Sequence, residues 1–259
     1  MKAVILAAGM GKRLGDLTKD RPKCLLNFLG KSLIERQIDN FIACGIKDII
    51  VVAGYMEQRI DLSGVKKVIN SDYETTNMVE SLFRSESLWG DEIIVSYGDI
   101  IYEKSILRDL INSDADIGVI VDKNGVNYFK DRFGGDYLKH LESLKISKSG
   151  AISNIGESIK SDAGVEGQYI GLLKFGKNGI KGIASIYHRD KIFYDTPWMR
   201  SRSLRQAYMT DMIQKMIDEG LSVKAVAING GWLEFDSVND YNKYNEWHEK
   251  GVLKRYCNL

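Results

Sequence analysis

The sequence has few cysteines, prolines and histidines, no long apolar run and almost no net charge. Its 259 residues include three cysteines, two prolines and three histidines. Because Cys24, Cys44 and Cys257 are odd in number and share no metal-ligand spacing, we expect reduced thiols in a cytoplasmic protein. No segment approaches the roughly 20 apolar residues that span a bilayer. Lys and Arg number 36 against 35 Asp and Glu, so the charge indicates neither a nucleic acid nor a membrane as partner.

The first apolar segment, residues 2–7, is too short for the hydrophobic part of a signal peptide. It runs for about six residues before glycines and charges, against the roughly 7–15 that such a segment needs. We therefore expect a buried first strand and no secretion signal. The composition, 44% hydrophobic and 27% charged, is typical of a folded protein rather than a disordered one.

Short apolar runs alternate with amphipathic segments along the whole chain, a pattern typical of a layered α/β domain. Helical periodicity is clearest over residues 32–44, 203–219 and 237–249. Gly45 follows the first of these segments, where a glycine commonly ends a helix. The predicted strands cover residues 2–7, 48–53, 66–69, 92–97, 116–121, 167–175 and 223–228.

Residues 122–165 interrupt this alternation. They are rich in Gly, Asp, Lys and Ser and contain only short apolar segments. We predict an inserted hairpin or lid region here. The chain has no repeat, low-complexity tract or linker, so the sequence predicts a single domain over residues 1–259.

A glycine-rich loop follows the first strand, in the sequence LAAGMGKRLGDLTKDRPKCL over residues 6–25. Such a turn lets backbone N–H groups approach phosphates without interference from Cβ atoms. The dinucleotide pattern G-x-G-x-x-G fails because Leu14 stands where its third glycine is required. The P-loop pattern fails because Arg13, not Ser or Thr, follows Gly11-Lys12.

The same loop is dense in basic side chains, which are Lys12, Arg13, Lys19, Arg21 and Lys23. This density suits polyphosphate recognition, although a solvated basic loop explains the composition equally well. Its position after the first strand of an α/β sheet favours the first interpretation, because ligands bind beyond the carboxyl ends of such strands.

At this point the sequence resembles a known family. Leu6-Ala7-Ala8-Gly9-Met10-Gly11-Lys12-Arg13-Leu14 and Arg21-Pro22-Lys23-Cys24-Leu25 resemble the signature of sugar-1-phosphate nucleotidyltransferases and their phosphocholine cytidylyltransferase relatives. Tyr97-Gly98-Asp99-Ile100 and Trp232-Leu233-Glu234-Phe235-Asp236-Ser237 resemble the family segments that carry metal-binding aspartates. The family often has proline near the position of Asp16, so the loop conformation can differ slightly here.

Further segments are most similar to the branch that activates small phosphorylated compounds with CTP. They cover residues 70–79, 167–171 and 208–211. Within this branch the chain is most similar to enzymes of the phosphoglutamine cytidylyltransferase type. The resemblance extends over most of the chain.

The resemblance implies a three-layer α/β/α, GT-A-like (Rossmann-like) fold with a mixed, mostly parallel sheet. It also implies Mg²⁺-dependent transfer of CMP from CTP to a small acceptor of the phosphoglutamine, phosphocholine or aminoethylphosphonate type, with release of pyrophosphate. A cytoplasmic enzyme of capsule or other cell-surface polysaccharide biosynthesis follows from the same resemblance, which also allows a homodimer. Two alternatives stay open: a hexose-1-phosphate nucleotidyltransferase using UTP or dTTP, and a catalytically silent nucleotide-binding regulator.

The resemblance assigns Arg13 and Lys23 as catalytic residues that stabilise charge during transfer, and Asp99 and Asp236 as Mg²⁺ ligands. Each aspartate has a structural alternative, since Asp commonly occupies turns and Asp236 could cap the last helix. The predicted nucleotide-binding residues are Leu6, Ala7, Ala8, Gly9, Gly11, Lys12, Arg13, Thr76, Asn77, Ser81 and Gly98. Thr76 or Asn77 could instead cap a helix, with Glu80 near its third position.

The acceptor pocket is predicted from side chains that flank the later strands. Glu166 could bind an ammonium group, and aromatic rings could surround it, although aromatics near strands more often belong to the core. The candidates are Lys123, Glu166, Gln168, Tyr169, Tyr208, Asp211, Trp232 and Glu234. The scattered histidines indicate no metal or catalytic role, and Cys24 has no histidine partner to make it a nucleophile.

Overall fold

The computed structural model describes residues 1–259, with thirteen strands and seven α-helices. The strands are β1 (Lys2–Ala7), β2 (Asn27–Phe28), β3 (Lys31–Ser32), β4 (Ile49–Ala53), β5 (Val65–Ile69), β6 (Ile93–Tyr97), β7 (Ile100–Tyr102), β8 (Ile117–Asp122), β9 (Glu142–Ile146), β10 (Ile152–Ser158), β11 (Gln168–Phe175), β12 (Val223–Ile228) and β13 (Trp232–Glu234). The helices are α1 (Leu33–Ala43), α2 (Met78–Phe83), α3 (Lys104–Asn112), α4 (Gly125–Phe133), α5 (Lys177–Arg189), α6 (Met209–Asp218) and α7 (Val238–Glu249).

Seven strands form the central sheet in the order β12-β8-β11-β6-β1-β4-β5. They are the seven strands that the sequence predicts, each within one residue of its predicted ends. β11 runs antiparallel to both of its neighbours, and the other pairs are parallel. The prediction of a mixed, mostly parallel sheet is therefore confirmed.

Each face of the sheet is covered by helices, which gives three layers. In β1 the side chains of Ala3 and Ile5 join one apolar cluster, together with α1, α3 and α7. Val4, between them, joins a second cluster with α2, α5 and α6. This division follows from the alternation of side chains along a strand, and it confirms the predicted α/β/α arrangement.

Helix α1 has both end signals that the sequence contains. Ser32 and Glu35 form a reciprocal capping box at its start, with Glu35 N–H donating to Ser32 Oγ at 3.3 Å. Gly45 has φ of 87° just after its end, and the N–H of Ile46 donates to the carbonyl of Phe41. The predicted glycine stop is confirmed, because a left-handed residue there is least strained as glycine.

The helix predicted over 203–219 is wrong at its start. The structure has a short 3-10 turn over Leu204–Gln206, and α6 begins only at Met209. The carbonyls of Arg205 and Ala207 accept hydrogen bonds from the N–H groups of Asn77 and Val79 at the start of α2. This pairing holds the segment out of a helix while it satisfies backbone donors of another helix.

Residues 122–165 contain α4 as well as a hairpin. β9 and β10 pair antiparallel, and the hairpin packs against α6. The helix α4 was not predicted, although Val126, Phe129 and Phe133 recur at helical spacing, because the Gly, Asp, Lys and Ser content of the whole region indicated a hairpin or lid. None of the helices combines the length and apolar character needed to cross a membrane.

The position of β1 determines where the chain can bind a ligand. β1 and β6 are neighbours in the sheet, and the chain leaves β1 toward β4 on one side but leaves β6 toward β8 on the other. A crevice opens beyond the carboxyl ends of parallel strands where their order diverges in this way. Residues that follow Ala7 and Tyr97 must therefore line the candidate site.

Candidate active site

A pocket with a volume of about 150 Å³ lies beyond the ends of β1 and β6. Its wall combines apolar and polar groups, as in small-molecule sites. Eight of the predicted nucleotide-binding residues line it: Leu6, Ala7, Ala8, Gly9, Thr76, Asn77, Ser81 and Gly98. Lys23, Cys24, Tyr73, Met78, Tyr97 and Asp99 complete its wall.

Gly98 permits the close approach of two strand ends at the floor of this pocket. Its N–H donates to the carbonyl of Leu6 at 2.9 Å. A Cβ atom on Gly98 would lie 2.8 Å from the same carbonyl oxygen and 3.1 Å from the Cα of Ala7. Only glycine fits this contact without moving backbone.

The glycine loop turns sharply, and the side chain of Lys23 packs against Gly11, where an added Cβ would lie 3.0 Å from the Lys23 Cβ. Gly11 has φ of 66° and Gly15 has φ of 52°, so both adopt conformations that favour glycine. The hydroxyl of Thr18 donates to the Gly11 carbonyl at 3.0 Å. Three predicted nucleotide-binding residues, Gly11, Lys12 and Arg13, do not line this pocket, and the side chains of Lys12 and Arg13 are exposed.

Asn70 organises the side chains on the opposite wall. Its buried amide donates to the hydroxyls of Thr76 at 2.9 Å and Ser81 at 3.0 Å. Asn77 caps α2 by accepting from the Met78 N–H. Asn77 therefore has the capping role that its sequence allowed and also faces the pocket, whereas Asn70 was not predicted.

Three carboxylates meet at the edge of the pocket. Asp99, Glu234 and Asp236 place carboxylate oxygens within 4.8 Å of one another. The pairing of β7 with β13 brings them together, since Glu234 lies opposite Ile100. The N–H of Phe235 then donates to the carbonyl of Asp99 at 2.9 Å.

Lys23 lies between two of these carboxylates. Its Nζ is 2.7 Å from Asp99 Oδ2 and 2.7 Å from Asp236 Oδ1. Burial alone would lower the pKa of Lys23, but the two carboxylates outweigh burial and raise it above its usual range. Asp236 is likewise buried, yet the ammonium group of Lys23 holds the pKa of that carboxyl below its usual value.

Arg132, on α4, is a buried cation behind the carboxylates. It contacts Glu234 at 2.5 Å and Asp240 at 2.8 Å, and its Nη2 lies 3.6 Å from Asp236. Burial and the charge of Asp236 raise the pKa of Glu234 to about 7, and Arg132 opposes this shift. Sequence reasoning missed Arg132, because α4 itself was not predicted and a single arginine carries no signal of burial.

Asp236 does not cap α7. Ser237 is the residue that caps the helix, and it forms a reciprocal box with Asp240. Asp236 therefore keeps its carboxylate for Lys23 and Arg13. The Arg13 Nη2 lies 3.1 Å from Asp236 Oδ1, and 66% of the Arg13 side chain stays exposed.

A second cleft, with a volume of about 350 Å³, adjoins the first pocket. The two share Lys23, Met78, Tyr97 and Asp99, so a ligand in each would meet beside the carboxylates. Four predicted acceptor residues line the second cleft: Gln168, Tyr169, Tyr208 and Glu234. Phe129, Phe133, His140, Glu142 and Thr210 also line it and were not predicted.

Four predicted acceptor residues do not line the cleft, which differs from the sequence interpretation. Trp232 is 2% exposed and donates its indole N–H to Asp122, so it belongs to the core. Lys123 is exposed beyond β8, two strands from β6. The carboxylate of Glu166 accepts the N–H of Ile146 on the hairpin. Asp211 is likewise buried and binds Arg200 at 2.8 Å.

The remaining reactive side chains have no nucleophilic role here. Cys24 is 1% exposed, and burial raises the pKa of its thiol to about 12. His140 stacks on Phe133 with ring centroids 3.7 Å apart, and burial lowers its pKa. His188 pairs with Glu86 away from the cleft.

Comparison with known proteins shows which family this chain is similar to. A family profile described as a MobA-like NTP transferase domain matches residues 3–161. The chain is 34% identical to a CTP:phosphoglutamine cytidylyltransferase of Campylobacter jejuni over 256 residues, covering 93% of this chain and 97% of the relative.

Two solved structures share the fold. A CTP:phosphocholine cytidylyltransferase from Streptococcus pneumoniae matches with a TM-score of 0.72 and 24% identity, over 95% of this chain and 97% of that one. A glucose-1-phosphate thymidylyltransferase, described as putative, from Bacillus anthracis matches with a TM-score of 0.71 and 18% identity, over 100% and 97%. Because both substrate classes occur on this fold, the fold alone does not select the acceptor.

Proposed function

The chain belongs to the MobA-like NTP transferase family, and from this premise we propose that it transfers CMP from CTP to a small phosphorylated or phosphonate acceptor, releasing pyrophosphate. The observation that carries this proposal is the meeting of two pockets at Lys23 and Asp99. One pocket follows the glycine loop and suits the nucleotide, and the other suits the acceptor. Similarity to a cytidylyltransferase along nearly the whole chain favours CTP and a small acceptor over a hexose phosphate.

In the proposed reaction an acceptor phosphate or phosphonate oxygen attacks the α-phosphorus of CTP. A new P–O bond forms, and the bond from the α-phosphorus to the bridging oxygen of pyrophosphate breaks. Both reactants are anions, so the protein must align them and neutralise their charge. Arg13 and Lys23 can donate hydrogen bonds to the non-bridging phosphate oxygens as negative charge develops.

We include Mg²⁺ in the proposal because the carboxylate cluster fits it. Hard divalent cations prefer carboxylate oxygens, and Asp99, Glu234 and Asp236 supply them from one small volume. Asp99 Oδ1 is buried without a hydrogen-bond partner, which leaves one oxygen free to accept a ligand. Mg²⁺ held there would withdraw charge from the phosphate oxygens. The assignments of the site residues belong to the same proposal.

Location in the cytoplasm, a role in capsule or other surface polysaccharide biosynthesis, and a homodimer stay predictions. The location rests on the cysteine pattern and the sequence resemblance, and the other two rest on the resemblance.

Pyrophosphate release tests the proposed function. Wild-type protein with Mg²⁺ is incubated with CTP, UTP or dTTP and with phosphocholine, 2-aminoethylphosphonate, L-glutamine phosphate or glucose-1-phosphate. We expect release only with CTP and a small nitrogen-bearing acceptor. An Arg13→Ala control shows whether the pyrophosphate comes from this site, because 66% of the Arg13 side chain is exposed and we expect the variant to keep its fold.

Two other results would contradict the proposal. Release with UTP or dTTP and glucose-1-phosphate would indicate a hexose-1-phosphate nucleotidyltransferase. Nucleotide binding with no release for any pair would indicate a silent regulator.

A further inference from the structure

Glu142 is a carboxylate in the acceptor cleft that has no partner within the protein. It is the first residue of β9, half-buried, and it lines the cleft with Lys23, Tyr97 and Tyr169. No hydrogen-bond donor and no basic side chain lies within bonding distance of its carboxylate. Partly buried carboxylates are normally paired, so an unpaired one that faces a cleft indicates a site for an external cation.

Arg200 is the basic side chain whose charge acts on Glu142, but its own hydrogen bonds go to other residues. Arg200 donates to Asp211 at 2.8 Å and to the carbonyl of Thr210 at 3.3 Å. Burial raises the pKa of Glu142, Arg200 opposes this shift, and Asp211 adds to it. The negative charge on Glu142 is therefore only partly balanced by its surroundings.

A second acceptor atom lies in the same cleft without a partner. Gln168 is 8% exposed, and its Oε1 is buried with no hydrogen bond, while its Nε2 donates to the Tyr169 carbonyl. A carboxylate and an amide oxygen are both acceptors, so together they suit a ligand that donates N–H bonds. The rings of Tyr97 and Tyr169, with centroids 5.7 Å apart, border this part of the cleft and suit a cation.

The charged side chains differ between the two ends of the cleft. At the end shared with the first pocket, Arg13 and Lys23 lie among Asp99, Glu234 and Asp236, where the proposal places Mg²⁺ and the phosphates. At the hairpin end, Glu142 lines the cleft without a paired cation. An acceptor whose phosphate binds at the first end therefore meets a negative charge at the second, which attracts a cationic group.

We propose that Glu142, assisted by Gln168, binds the ammonium group of the acceptor and so selects cationic acceptors over neutral ones. This inference rests on the proposed function, since it concerns the acceptor of that reaction. It makes Glu142 a specificity residue that touches the substrate but takes no part in phosphoryl transfer.

The test uses pairs of acceptors that differ only in the cation. In each pair the neutral member keeps the phosphate or phosphonate but has an uncharged group in place of the ammonium group. Propylphosphonate is the neutral member for 2-aminoethylphosphonate, and 3,3-dimethylbutyl phosphate is the neutral member for phosphocholine. Steady-state KM values for CTP and for each acceptor are measured for wild type, E142Q and the control E157Q. Glu157 lies on the partner strand β10, is exposed and does not line the cleft, so its charge is removed without touching the site.

We expect E142Q to raise the KM for each cationic acceptor by about 10- to 100-fold, the usual effect of losing one hydrogen bond to a charged group. The KM for CTP and the KM for the neutral acceptors stay unchanged, and E157Q behaves as wild type. Equal effects of E142Q on cationic and neutral acceptors would overturn the inference. So would a wild type that does not prefer the cationic member of either pair, whether or not E142Q folds.

Calorimetric titration of the same pairs separates this inference from the proposed function. If wild type releases no pyrophosphate with any pair, the proposed reaction is wrong. Tighter wild-type binding of the cationic member, lost in E142Q, still supports the ammonium site. Equal binding of both members, or binding of neither, overturns it.

Discussion

The ammonium nitrogen of Lys23 lies 2.7 Å from Oδ1 of Asp236, a residue 213 positions later in the chain. The same nitrogen contacts Asp99, so one cation from the glycine loop joins the ends of two distant strands. In this arrangement the ammonium group occupies the space between two carboxylates that are candidate metal ligands. Because Lys23 belongs to the glycine loop, a change in the conformation of that loop would change how the charges of Asp99 and Asp236 are neutralised.

Replacing Lys23 with Met should destabilise the metal-free protein. It removes the cation that Asp99 and Asp236 share and leaves only Arg13 and Arg132 near Asp236, which costs on the order of 1–3 kcal/mol at this partly buried site. Adding Mg²⁺ should then raise the melting temperature of the variant more than that of wild type, because the ion replaces the missing charge. Thermal unfolding with and without Mg²⁺ measures both effects. A variant as stable as wild type, with no larger response to Mg²⁺, would contradict this account.

Arg13→Ala should lower kcat for pyrophosphate release by about 10²–10³-fold, as expected for loss of one preorganised charge-stabilising group. Its melting temperature should stay near that of wild type, because two thirds of the side chain is exposed. Lys19→Ala is the matched control, since Lys19 lies in the same loop but pairs only with the exposed Asp16. If both variants lost activity equally, general loop charge rather than Arg13 would be responsible.

Arg132→Met should lower the free energy of unfolding by about 3–5 kcal/mol, because it leaves buried carboxylates unpaired. Arg132 is fully buried and is the cation that binds both Glu234 and Asp240. Urea unfolding gives the value. Arg108→Met, on the exposed face of α3 with no ion pair, provides the comparison and should change little. A loss below about 1 kcal/mol for Arg132→Met would contradict this prediction, because it would mean that solvent reaches the ion pairs of Arg132 with Glu234 and Asp240.

The pairing of Glu219 with Arg189 should make a small contribution to stability that depends on pH. The Arg189 hydrogen bond lowers the pKa of Glu219 to about 2, despite partial burial that opposes the shift. A carboxyl with a lowered folded-state pKa stabilises the protein above its unfolded pKa, near 4.5, and loses that contribution as pH falls toward 2.

Glu219→Gln should therefore lower the free energy of unfolding at pH 7 by about 0.5–1 kcal/mol, since Arg189 is half exposed and solvent screens the pair. The difference from wild type should shrink as pH falls below 4.5. Unfolding curves at pH 7 and pH 3 give both values, and a difference that grew toward pH 3 would contradict the assignment.

The sequence predicted the seven central strands because each is a short apolar run bounded by polar or glycine residues. Eight of the residues that it predicted for nucleotide binding line the pocket beyond β1 and β6, four from the contiguous loop over 6–25 and four from later segments, and their role in binding a nucleotide stays a prediction. The start of α6 was wrong, since the carbonyls of Arg205 and Ala207 are engaged by α2, a contact that local periodicity does not contain.

The residues that line the second cleft were predicted less well. Gln168 and Tyr169 face it because β11 is antiparallel, so its first residues lie at the edge where β6 and β8 end. Lys123 seemed equivalent by sequence, but β8 lies farther from β1. Glu142 and Arg132 come from the irregular region 122–165, where no pattern marks one charged residue above its neighbours.

The sequence by itself determined which segments become strands, where the glycine loop turns, and which cations and carboxylates the chain can offer. Only the tertiary structure decided that Lys23 meets Asp99 and Asp236, that Arg132 is buried behind them, and that Glu142 is left unpaired. The physical reason is the range of the interactions. Propensity, capping and turn conformation depend on residues a few positions apart, whereas strand order and the pairing of β7 with β13 depend on how the whole chain buries its apolar surface.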